Sequence, residues 1–420
     1  MKKSPLYPPG SIHINWFSLF NAVTFQIIVG SPMILYAKSL GANATVLGTI
    51  AALPMLLGML QVPGNHLLGH LGYRRMIFTG WGSRTVMTFV VALVPLLAFL
   101  GAFGKIAMLL CALFVFHLVR GGTVGAWLPW LTDLIPTGVR GRFFARDQIF
   151  LHAGALAATL ASAFVLEEKS RPGQFAAIFL VSACAGCASL LFIRWIPDVA
   201  HRETLQKSGT PVPWRRIVAH PPLVRLAIFN LLFVFATSTV NVFTVPFLKT
   251  KIGYGENRIL YLSTLYFLGA MLSLPLVGRV LDRAGSRMVL NFSLALWAAI
   301  LAGWAAVAGG LLAPSVGFIA LLQFAGGVAG SNLALANIRL TLHIMPHTGR
   351  LHFIAFFSVI TSLVLGLAPV VWGLALDAMN RLDAAHWNRF SIYFLALLAL
   401  TLASIASANF LHEEEGRAES

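Results

Sequence analysis

Charge is what this chain has least of. Only 10% of its 420 residues are charged, and just 14 of them are acidic. Soluble domains carry about 25% charged and 45–50% apolar residues, so this scarcity excludes a water-soluble globule. No Asp or Glu lies deep in an apolar run; Asp133, Asp147 and Asp377 all sit near run ends. Without a convergent acid, base and nucleophile set, a membrane enzyme is disfavoured. Cysteine is rarer still. Cys111, Cys184 and Cys187 lie within apolar segments, and the Cys184-x-x-Cys187 spacing reads as helix packing, not redox chemistry. No G-x4-G-K-[ST] loop is present to cradle phosphates, so direct ATP drive is not encoded. His343, His347 and His352 form a single H-x3-H-x4-H set, whereas a membrane di-iron enzyme needs several such boxes. No metal and no cofactor are expected.

What is abundant is long apolar sequence. The chain is 58% hydrophobic, with a mean hydropathy of +0.81. Runs of roughly 20 apolar residues, enough to cross a bilayer at about 1.5 Å per residue, recur twelve times. Backbone groups in lipid must pair within the segment, so these are helices; barrel strands would be half as long and alternating. The first run, from about Ile14 to Ala37, is too long for a signal peptide and no small-residue cleavage site follows it. The fold class is therefore an all-α integral membrane protein of twelve transmembrane helices, with the lipid bilayer as its solvent. The formal charge of +16 does not indicate nucleic acid, because Lys and Arg are spread over many short loops and form no continuous basic face. Leaving aside Arg84, Arg120 and Arg339 inside the runs, 18 Lys and Arg lie on the side of the N-terminus and 9 on the other. The excess of positive charge inside predicts a multi-pass plasma-membrane protein, in bacteria of the inner membrane, with both termini cytoplasmic.

The longest polar stretch, Pro197 to Pro222, has the prolines, charges and Ser-Gly of a cytoplasmic linker. It separates a bundle over 1–196 from one over 223–420, each of six spans. The halves repeat. Pro136, Arg140, Phe143 and Ala145 recur 210 residues later as Pro346, Arg350, Phe353 and Ala355, and Gly41 recurs as Gly253. Leu67, Gly72 and Arg74 recur as Val280, Gly285 and Arg287. An even number of spans per half gives both copies one orientation, with a pseudo-twofold axis along the membrane normal and a central cleft.

Twelve spans, a long central loop and this duplication resemble the major facilitator superfamily, across the whole chain. Its signature G-x-L-x-D-R-x-G-R-R is matched by Gly278, Asp282, Arg283, Gly285 and Arg287, with Val280 for Leu and Ser286 for one Arg. The earlier copy keeps Leu67, Gly72 and Arg74 but has Asn65, Gly69 and His70 at the first Gly, the Asp and the following Arg. The resemblance implies that Asp282 meets a helix N-terminus and acts as a conformational latch, which the Gly69 copy lacks. The arginines also suit plain anchoring at the headgroups. Span five lacks the Gly-Pro-rich signature of drug–proton antiporters, which lowers that reading.

The resemblance places spans one, four, seven and ten around the cleft. Span seven offers Asn230, Thr237 and Asn241 on one helical face. Span one offers Asn21 and Thr24, and span ten Gln323 and Asn337. Each of these could equally serve helix–helix hydrogen bonds. Arg120 is sharper: it lies near mid-membrane in span four, where an arginine costs at least roughly 2.5–3.5 kcal/mol, so it must face protein or water. His117 and Trp127 fall on its stripe. Arg84 in span three is expected to snorkel or to pair with Asp133. The functional expectation is a monomeric secondary active or facilitative transporter of a small solute, working by alternating access, with a preference for an anionic or polar organic solute. A coupling proton or counter-anion would be its co-substrate. Multidrug or metabolite efflux is the alternative within transport, and a non-transporting sensor or scaffold the alternative outside it.

Overall fold

A computed structural model describes residues 10–64, 68–198, 221–344, 350–381 and 388–410. Every regular element among them is a helix. Twelve stretches are long and apolar enough to span a bilayer, from Ser11–Ser39 and Ala44–Gly64 to Val359–Ala378 and Arg389–Ala408. Most of the linker expected at 197–222, namely 199–220, lies outside the described residues.

Spans one and seven, equivalent in the repeat, are both interrupted. Span one is Ser11–Val29 and Ser31–Ser39, broken where Gly30 is extended (φ −87°, ψ −161°). Span seven is Pro221–Thr237 and Val240–Phe247, closed by a π turn over Leu248–Ile252. The repeat also shows in backbone conformation. Gly72 (φ 70°, ψ 168°) and Gly285 (φ 78°, ψ 168°) kink their chains almost identically, and Gly41 and Gly253 share positive φ values of 86° and 79°. That region is open to glycine at no steric cost, which explains why the glycines survive in both copies when other motif positions do not.

The motif arginines have a defined task. Arg74 Nη2 donates to the carbonyl of Arg194, the last residue of helix Pro172–Arg194. Arg287 Nη2 donates at 3.1 Å to the carbonyl of Asn409, the C-cap of helix Arg389–Ala408. Each thus places a cation on a helix C-terminus whose carbonyls lack intrahelical partners. Both bonds are exposed, so Arg287→Ala is expected to cost only about 0.3–1 kcal/mol. A thermal unfolding curve in detergent should show a small fall in midpoint, and Arg287→Lys should recover part of it.

The chain divides into two compact units. One comprises Met1–Asn43, Thr49–Gln206 and Leu248–Tyr261; the other comprises Ala44–Gly48, Lys207–Phe247 and Leu262–Ser420. The division departs from the linker boundary at two short stretches, 44–48 and 248–261. In the first unit, span one packs on spans five and six, and span three on spans four and six. Buried Phe17, Tyr73, Trp81 and Trp130 fill that core. Spans two and four touch through backbone: a Cβ on Gly121 would lie 1.9 Å from the Leu57 oxygen, and one on Gly64 2.0 Å from the Gly122 oxygen. Small residues permit such approach where apolar lipid offers helices no hydrophobic drive to associate.

In the second unit span seven packs on spans eleven and twelve. Trp372 Nε1 donates to the Phe235 carbonyl at 3.2 Å, and the Thr239 and Tyr393 hydroxyls lie 2.7 Å apart. A carboxylate also caps a helix here. Asp377 accepts from the Ala44 and Thr45 amides at 3.0 and 2.8 Å and from Thr45 Oγ1 at 2.6 Å, at the start of helix Ala44–Leu56. This is the kind of contact expected of Asp282. The side chains of Asp282 and Arg283, and the surroundings of Gly278, lie outside the described residues.

Candidate functional site

Three helices of the first unit bring a set of cationic and polar side chains together. Span one contributes Asn21 and, one turn on, Phe25. Span three contributes Trp81 and Arg84, and span four Phe116, His117 and Arg120, in helix Ala102–Val124. Asn21 and Phe25, Trp81 and Arg84, and Arg120 with each of Phe116 and His117 are spaced three or four residues apart, so each pair lies on one helical face.

Asn21 is the hub. Its Oδ1 accepts a hydrogen bond from Trp81 Nε1 at 3.0 Å and another from Arg84 Nη2. Arg84 is 1% exposed, and its guanidinium carbon lies 4.9 Å from the Trp81 ring centre and 5.4 Å from that of Phe116. Cation–π contact repays part of the desolvation. Arg84 therefore neither snorkels nor pairs with Asp133, as its sequence position suggested; Asp133 instead accepts from the Tyr73 hydroxyl at 2.9 Å. The apolar, aromatic surroundings and a nearby amide oxygen hold the guanidinium inside the bundle.

His117 is buried between Phe116 and Phe25, with ring centroids at 4.9 and 6.5 Å. Arg120 is half-buried, its guanidinium carbon 4.9 Å over the Phe25 ring. Among the described residues the ion pair is Lys249–Glu256; neither Arg84 nor Arg120 has a carboxylate partner. Trp127 does not continue the Arg120 stripe. The helix ends at Val124, and Trp127 opens a separate helix, Trp127–Leu134, where it packs on Phe17 at 4.5 Å.

The remaining candidates have other neighbours. Thr24 is fully buried against span six, donating to the Ser182 carbonyl at 3.0 Å while Ser182 Oγ donates back at 3.2 Å. In the second unit Asn337 Nδ2 donates to Asn230 Oδ1 at 2.7 Å, and Asn230 Nδ2 to the Leu226 carbonyl at 3.0 Å. Spans seven and ten thus meet through paired amides. Thr237 Oγ1 bonds back to the Phe233 carbonyl, Asn241 hydrogen-bonds the Tyr266 hydroxyl, and Gln323 is buried.

Two residues gain weight that sequence reasoning did not give them. Arg84 is expected from its position to snorkel or to pair with Asp133, although its W-x-x-R spacing puts an aromatic and a cation on one face. Asp147, near the start of its span by sequence, is buried and accepts from Asn15 Nδ2 at 3.1 Å and from Ser18.

Comparison with known proteins supplies the class. The Major Facilitator Superfamily profile matches residues 15–257 and 226–420, and the chain belongs to that family. It is 25% identical over 267 residues to a chloramphenicol efflux pump of Mycobacterium tuberculosis, strain H37Rv, covering 63% of this chain but only 61% of that relative's length. The fold matches a D-xylose–proton symporter (TM-score 0.77, 13% identity, 97% and 98% of the two chains) and a nucleoside transporter (0.75, 11%, 96% and 99%).

Proposed function

We propose that this superfamily member is a secondary transporter that moves a small polar or anionic organic solute across the bacterial inner membrane by alternating access, with both termini in the cytoplasm. Two six-helix halves, 1–196 and 223–420, would present one central site to each side in turn, and solute would shift the balance only through its differential affinity for the two states. The observation that carries the reading is Arg120: a half-buried guanidinium inside span four, stacked on Phe25, with no acidic partner among the described residues. A cation kept at that depth marks a solute or ion path.

The test is counterflow in proteoliposomes, with organic anions, sugars, nucleosides and chloramphenicol as trial solutes. Saturable exchange of an anion supports the proposal. Exchange of chloramphenicol alone supports efflux instead, as the mycobacterial relative's name suggests. Binding without exchange of any solute would make the chain a sensor.

The candidate carrier for a coupling proton is Asp147. The groups facing it are Asn15, Ser18 and Arg146. Asp147→Asn is expected to abolish accumulation driven by a pH gradient while leaving solute exchange at equal pH intact, since exchange needs no net proton movement. Accumulation retained by that variant would remove Asp147 from the coupling path.

A further inference from the structure

Arg84 has more positive charge around it than its partners neutralise. Its Nη2 is used by Asn21, but its Nε, fully buried, donates to nothing. His117, 2% exposed, has an Nδ1 with no partner either. Arg120 and His117 share the Phe25 ring, and Arg84 and His117 share the Phe116 ring. The buried Arg84 and His117 and the half-buried Arg120 thus gather among Phe25, Trp81 and Phe116, with no carboxylate paired to them among the described residues. An uncompensated buried charge is strongly destabilising, and cation–π contacts offset only part of that. Asn21 shows the polarity of what is missing. Its oxygen is taken by Trp81 and Arg84, which orients the amide and leaves its Nδ2 as a further donor, one helical turn from Phe25 on the same face. Apart from the His117 imidazole, which can donate through one nitrogen and accept through the other, every polar group left over in the cluster is a donor or a cation.

We infer that spans one, three and four hold a small oxyanion, a carboxylate or phosphate-type group, bound by the Arg120 guanidinium and Asn21 Nδ2, with Arg84 as the positioning residue behind Asn21. This rests on the reading of Arg120 as part of the solute path and names the chemistry of what is carried there. The oxyanion is either the solute's own charged group or an inorganic ion bound with it. A planar guanidinium and a fixed amide suit a two-oxygen acceptor better than a spherical halide.

The test is binding, not flux. Full-length protein in nanodiscs of neutral lipid is titrated with inorganic phosphate, sulfate, succinate, benzoate and uncharged glucose, and followed by thermal unfolding and calorimetry. Oxyanions should raise the unfolding midpoint with concentration as mass action requires, and glucose should not. Arg84→Met should weaken oxyanion binding at least tenfold yet leave the ligand-free midpoint equal or higher, because an apolar isostere removes an uncompensated charge. A purely structural Arg84 would do the reverse, lowering the midpoint with affinity unchanged. Asn21→Asp puts a carboxylate of the chain's own between the guanidiniums. It should raise the ligand-free midpoint and abolish oxyanion binding, and it serves whether or not Arg84→Met folds. Succinate or benzoate displacing phosphate assigns the oxyanion to an organic solute; phosphate or sulfate binding that organic acids do not displace assigns it to a co-bound inorganic ion. No stabilisation of the wild-type chain by any oxyanion, or retention of binding by Asn21→Asp, overturns the proposal. Binding without counterflow keeps this site and overturns the transporter reading; counterflow of a neutral solute, indifferent to oxyanions, does the opposite.

Discussion

Arg120→Ala abolishes saturable uptake while leaving the amount of folded protein in the membrane near normal: that is the expected result. The side chain's contact is the Phe25 ring, and it ties no helix to another by an ion pair among the described residues, so its loss should not unseat span four. Each charge-assisted hydrogen bond to a bound solute is worth about 1.5–3 kcal/mol, and losing two such bonds to one carboxylate lowers kcat/KM by roughly a hundredfold or more. Arg120→Lys should recover little, since an ammonium reproduces neither the planar fork nor the stacking. Uptake kinetics, normalised to the folded protein seen by size exclusion, decide the matter. Unchanged uptake by the alanine variant removes Arg120 from the solute path; loss of folded protein makes it a structural residue.

The next two positions should respond in opposite ways. A Cβ on Gly121 would lie 1.9 Å from the Leu57 carbonyl oxygen and 2.7 Å from its carbon, whereas a Cβ on Gly122 meets nothing within 4 Å. Backbone cannot retreat as a side-chain end can, so Gly121→Ala must drive spans two and four apart and turn Arg120 away from Phe25. The expected loss is about 3 kcal/mol or more, in the range of overpacked cores. Gly122→Ala should be neutral or stabilise by a few tenths of a kcal/mol, because alanine loses less conformational freedom in a helix. Thermal unfolding and size-exclusion profiles of the two variants provide the comparison. Equal behaviour would mean that spans two and four are not packed backbone to backbone at this point.

Which parts of this protein were legible beforehand follows from where each signal resides. Twelve spans could be counted because the need to satisfy backbone groups in lipid imposes one length and one composition on every crossing. The duplication was legible from Pro136, Arg140, Phe143 and Ala145 recurring 210 residues on, and from glycines that a positive φ requires: Gly72 with Gly285 and Gly41 with Gly253. Arg120 stood out because a cation at mid-run is costly whatever surrounds it.

Partnership was not legible, because it depends on which faces meet. Thr24 and Asn21, three residues apart on span one, looked equivalent. In the fold Thr24 is spent on the Ser182 carbonyl, and Asn21 gathers Trp81 and Arg84. By sequence Arg84 is within reach of Asp133, but in the fold Tyr73 donates to that carboxylate and Arg84 to Asn21. By spacing Trp127 extends the Arg120 stripe, but the helix stops at Val124. The motif arginines suit headgroup anchoring by sequence, but Arg74 and Arg287 lie on the last carbonyls of spans six and twelve, about 120 residues away in each half.

By itself, then, the sequence determined that this is a twelve-span membrane protein of duplicated halves with a cation inside span four, because hydropathy, glycine-only backbone and buried charge are properties of single segments. Only the tertiary structure decided that Arg84, His117 and Arg120 gather around shared aromatic rings, with Asn21 held by Arg84, and that Asp147 of span five is buried against span one. Those facts depend on rotations of helices about their own axes, which are set by packing against neighbours distant in the chain, and no local period in the sequence encodes them.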